Sequence, residues 1–117
     1  MMNHSIQLKA VLSEAGSLPD QQLALFALLN LGLVESLAGG SISAADAVRV
    51  FFHAENCLFV RQRLRDRIAD EVMSHGAQLP DLFDALPAKE AQREFQRELA
   101  TMRSLCLSLL AEQQVAA

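Results

Sequence analysis

The chain has no Trp and no Tyr, and its aromatic residues are six Phe. The strongest base-stacking groups are therefore missing. With a net charge of −4 and a pI near 5.2, the chain also lacks the Lys and Arg surplus that general nucleic-acid binding requires. Cysteine is scarce: Cys57 and Cys106 lie far apart with no C-x-x-C, whereas a secreted chain of this size would carry more, in pairs. Residues 1–16 hold no basic leader and no apolar h-region, which reads as no signal peptide and a cytoplasmic protein. There is no Gly-rich phosphate loop, no G-x-S-x-G and no H-E-x-x-H. Glycine and proline are absent altogether from residues 43–75.

What the chain has instead is apolar side chains. They make up 51% of its 117 residues, with a mean hydropathy of +0.18, and the length suits a single domain over 1–117. So small a domain has little interior relative to its surface. Some of this apolar surface is expected to be hidden against another chain.

The period is helical throughout. Residues 5–15 form a short amphipathic helix stopped by Gly16, and Ser17 with Asp20 starts a second over 18–38. That second helix is apolar nearly all round, interrupted by Asn30 and Glu35, and is shorter in its clean run than a bilayer span. It reads as a buried core helix, with Gly32 marking a close helix crossing. After Gly39-Gly40-Ser41, Ser43 and Asp46 repeat the start signal. The glycine-free interval then predicts one helix of roughly 32 residues, about 48 Å long. A compact chain of this size is roughly 35 Å across, so the rod outruns its own body. Its apolar face rotates by about 140° between the first half (Val48, Phe51, Phe52, Leu58, Phe59) and the second (Leu64, Ile68, Val72). Either one rod serves two bodies, or the helix breaks near 56–61, where no Gly or Pro marks a break. Gly76 is read as the stop, residues 78–87 as a proline-bracketed connector, and 87–113 as a last helix with a seam of Phe95, Leu99, Met102, Cys106 and Leu109. The tail beyond that helix is expected to fray.

Chemistry-bearing residues are few. Glu55 has Phe51, Phe52, Leu58 and Phe59 as its helical neighbours, so it is expected to be a buried carboxylate that receives an Arg (Arg49 or Arg103) or caps the end of another helix. His53 and Cys57 stand one turn apart, too few for a metal site, and His4, His75 and Cys106 are remote in sequence. No cofactor and no metal site is assigned. The run Arg61–Arg67 is the sole basic cluster. Acidic neighbours reduce residues 61–71 to a local net charge of +1, which suits a protein interface better than phosphate.

Residues 40–47 (Gly-Ser-Ile-Ser-Ala-Ala-Asp-Ala), Phe51-Phe52 and the stretch Gly76-Ala77-Gln78-Leu79-Pro80-Asp81-Leu82 through Leu86-Pro87 resemble a family of short, uncharacterised bacterial helical proteins of unknown function. The resemblance spans about residues 37–110. It implies a free-standing helical domain and brings no activity or catalytic residue.

The expectation is thus an all-α bundle of four main helices with one long central helix, paired as a homodimer through Arg61, Leu64, Arg65, Ile68 and Val72. The favoured function is a non-enzymatic protein-interaction module, meaning a regulator, adaptor or neutralising partner, with no membrane contact. One alternative is a nucleic-acid-binding regulator using Arg61–Arg67. The other is a small metal-dependent or hydrolytic enzyme using Glu55 with His53 or Cys57.

Overall fold

The computed structural model describes residues 5–113. The expected frayed tail and His4 lie outside them. Six α-helices follow in order: α1 (Leu8–Glu14), α2 (Pro19–Ala38), α3 (Ala44–Val50), α4 (Ala54–Phe59), α5 (Arg67–Ala85) and α6 (Ala88–Gln113). A π-helical stretch, Val60–Leu64, continues directly from α4. The class is all-α, as the periodicity predicts, but the helix count is six rather than four.

The single rod over 43–76 does not form. Its first break comes at the two adjacent phenylalanines. A straight helix would splay successive side chains about 100° apart. Instead the chain turns, with the Phe51 and Phe52 N–H groups both donating to the Ala47 carbonyl, and both rings enter the core edge-to-face at 5.1 Å. His53 then restarts the chain as the N-cap of α4, its Nδ1 accepting from the Asn56 N–H at 3.4 Å. The second break follows the π-helical stretch, where Arg65 adopts a left-handed backbone (φ 53°) and Asp66 caps α5 by accepting from the Ala69 N–H at 2.9 Å. A π turn inserts one extra residue and so shifts every later side chain around the axis. The rotated apolar face in the sequence was the trace of this break.

Gly76 is not a stop. It lies inside α5, which runs on through Pro80 to Ala85, so the expected connector is helical. A Cβ on Gly76 would run into the Phe52 ring, and the glycine is there to let that ring lie against α5. Pro80 is tolerated with the loss of one helical bond, since it has no N–H to give the Gly76 carbonyl.

The core centres on α2, α5 and α6. Leu23, Phe26, Val34 and Leu37 of α2 meet Val72, Met73 and Leu79 of α5 and the predicted α6 seam, all of it buried. A His75–Glu98 contact of 2.6 Å ties α5 to α6, and Arg103 reaches Glu35 at 2.5 Å to tie α6 to α2. Asn30 is wholly buried. Its Nδ2 donates to the Phe26 carbonyl one turn back, while its Oδ1 receives no bond from the described groups.

Candidate functional site

The expected contact surface does not come together. Val72 is fully buried in its own subunit, and Leu64 and Ile68 are half-buried against the same core. The breaks at 51–53 and 65–66 turn these side chains inward. Arg61 and Arg65 remain exposed, and Arg61 Nε lies 3.5 Å from Asp70. Asp66, one of the acidic neighbours, is engaged as the cap of α5.

Glu55 is not a buried carboxylate. It is exposed in the first turn of α4, because the turn at 51–53 rotates it away from both rings. The candidate ion-pair partners are engaged elsewhere, Arg49 with Asp46 at 2.9 Å and Arg103 with Glu35. The buried polar residue of this corner is its neighbour Asn56. Its Oδ1 accepts from the Leu8 N–H at 3.0 Å, and its Nδ2 donates at 2.8 Å to the carbonyls of both Ile6 and Phe51. Ile6 also donates to the Val50 carbonyl at 2.8 Å. One amide thus fastens the start of the chain to the broken helix. With Nδ1 of His53 accepting, the neutral ring carries its proton on Nε2, which lies 3.2 Å from the Ile6 carbonyl and 3.0 Å from Ser5 Oγ.

Those bonds occupy both nitrogens of His53 in structural roles. Neither Cys57 in α4 nor Cys106 in the α6 seam is suited to attack, since thiolate is the nucleophile. Burial, more than the opposing Arg61 charge, raises Cys57, and burial pushes Cys106 up to about 12. Among the described residues no group of three or more His, Cys, Asp or Glu side chains converges to hold a metal. Asp46 is held below its ordinary carboxylate range, first by the Arg49 guanidinium and then by the Ser43 hydroxyl, as befits the first turn of α3.

A concavity of about 690 Å³ lies elsewhere, where the end of α2, the start of α3, the end of α5 and the first half of α6 meet. Sequence signals did build its walls. Gly40 takes φ +80°, and the Gly40 and Ser41 N–H groups cap the Leu37 and Ser36 carbonyls, which ends α2 and delivers Ile42 to the groove. Ser43 caps α3 through the Asp46 N–H at 3.1 Å. The floor is Leu37, Ile42, Pro80 and an edge-to-face pair, Phe83 and Phe95, with ring centres 5.3 Å apart. Phe83 is 44% exposed, an unusual position for a phenylalanine, while Phe95 beneath it is buried. Gln92 and Gln96 edge one side, and Asp84 carries the sole charge on the lining. The groove was illegible in the sequence because its four walls come from four helices whose mutual placement no local pattern encodes.

Comparison with family models, with curated proteins and with solved structures finds no match to this chain.

Proposed function

We propose that the protein is a non-enzymatic interaction module, cytoplasmic and self-associating, that takes a segment of another protein in the groove beside Phe83. The observation that carries this is a half-exposed Phe83 paired edge-to-face with buried Phe95 in a groove of about 690 Å³, within the usual volume of binding sites. Such a site suits bulky apolar side chains, with Gln92 and Gln96 free to bond the backbone of the guest. Asp84 and the carbonyl end of α2 favour a Lys or Arg next to those anchors over an acidic residue. The likeness of residues 37–110 to short bacterial helical domains belongs to the same reading and adds no activity.

A peptide-display selection on the immobilised protein tests it. The reading expects enriched sequences to pair bulky apolar residues with Lys or Arg, and to lose about tenfold or more in affinity for Phe83→Asp. No enrichment, or equal binding to that variant, contradicts it.

A further inference from the structure

Helix α2 contributes one face to the core, and the described residues cover its opposite face only in part, with Leu25 and Leu29 half-buried and Leu28 and Gly32 exposed. Between Asp20 and Glu35 it has no charged residue. It is long and apolar enough to cross a membrane by length and composition, and only 28% of its apolar stretch is buried. At about 100° per residue, Leu25, Leu28, Leu29 and Gly32 project within roughly one 100° arc on the outer side. Leu28 is 55% exposed there, and Leu25 and Leu29 are half-buried. Gly32 is also exposed, and a Cβ built on it meets nothing within 4 Å. The close crossing expected at this glycine is therefore not inside the subunit. No described residue packs on it, although glycine in a helix interior costs about 1 kcal/mol against alanine.

We infer that the outer face of α2 packs against α2 of a second copy of this chain, antiparallel, about a two-fold axis passing between Leu28 and Leu29. In that register each Leu25 faces Gly32 of the other copy, a branched side chain over bare backbone, and it does so twice by symmetry. Gln21 falls opposite Ser36 of the other copy, donor opposite acceptor at both rims. This arrangement covers the exposed Gly32 and the half-buried Leu25 of both copies with one repeated contact.

The area is adequate. Contacts of Leu37 with the groove beside Phe95, and of Glu35 with Arg103, run α2 and α6 antiparallel side by side. Leu107, one turn beyond Arg103 and 52% exposed, extends the platform onto α6. Two helices about 9 Å apart and about 30 Å long offer on the order of 600 Å² per copy. Doubled, that clears the roughly 1,000 Å² expected of a specific interface. A lipid surface fits less well: a helix lying on a bilayer is flanked by Lys and Arg, whereas this stripe ends at Asp20 and Glu35.

The inference rests on the self-association in the reading above and names its surface, leaving the groove to be judged separately by the Phe83 variant. Light scattering across a dilution series tests it on the wild type, Leu28→Lys and Gly32→Leu. The expected result is a wild type at twice the 12.8 kDa chain mass and both variants dissociating at about tenfold or higher concentration, with helical circular dichroism and melting retained. Gly32→Leu is the sharper variant, since it leaves the face apolar and only fills the dent. A monomeric wild type, a dimer unaffected by both variants, or wild-type flotation with vesicles of acidic lipid that Leu28→Lys abolishes would overturn the inference.

Discussion

Helices α2 and α5 are nearly equal in length, 20 and 19 residues, and each carries a glycine near its middle, Gly32 and Gly76. Around α5 the apolar residues occupy one side, the core covers them, and Gly76 is needed because the Phe52 ring lies where its side chain would be. Around α2 the apolar residues go all the way round, the core buries one side, and a Cβ on Gly32 would meet none of the described residues. One helix is complete within the subunit. The other has more apolar surface than its own chain can hide. A glycine whose reason cannot be found inside a subunit points to what lies outside it.

The sharpest way to break that contrast is at the corner that sets α5 in place. Asn56→Ala leaves the Leu8 N–H and the Ile6 and Phe51 carbonyls without their partner, and is expected to destabilise the protein by about 3 kcal/mol in urea unfolding. A loss below about 1 kcal/mol would mean that the corner holds without its clamp. Next comes Gly76→Ala, expected to remove about 1–3 kcal/mol because Phe52, wholly buried, has nowhere to move. Gly32→Ala should act with the opposite sign, raising the stability of the isolated subunit by about 1 kcal/mol through helix propensity alone. Equal signs for the two glycine variants, in unfolding at concentrations that keep the chain monomeric, would erase the distinction between the helices.

The smallest effect concerns pH. Asp46 titrates below its ordinary range in the folded chain, so its contribution is present above a pH of about 4 and is lost as pH falls through the lowered folded value. Asp46→Asn should therefore lower stability slightly at neutral pH, leave it unchanged in strong acid, and so flatten the acid limb of the stability curve. An alkaline shift in that limb would contradict the assigned cap.

The regular helices were legible because their signals are local. Pro19 and Asp20 mark the first turn of α2, although its N-cap is Leu18 and Ser17 makes no capping bond, Gly40 closes it, and the four-and-three spacing from Phe95 to Leu109 gives the buried face of α6. The corner at 51–66 was not, because no Gly or Pro makes it. It is made by two adjacent Phe rings that both must be buried, a histidine acting as a cap, and an arginine held left-handed between a π turn and Asp66. Two hints were present. Asp66 ahead of Asp70 and Glu71 is a helix start, and the rotated apolar face is what an inserted residue produces. Misplacing that corner also misplaced the partner surface, since Leu64, Ile68 and Val72 look outward only on an unbroken rod. Glu55 in place of Asn56 is the same error, one residue along the helix.

Oxidative cross-linking of single introduced cysteines compares the two surfaces directly. With Cys57 and Cys106 replaced by serine and alanine, Leu28→Cys is expected to give a covalent dimer within minutes of mild oxidation, and Arg65→Cys to stay monomeric. A covalent dimer from Arg65→Cys with none from Leu28→Cys would contradict the pairing through α2 and return the contact to the corner.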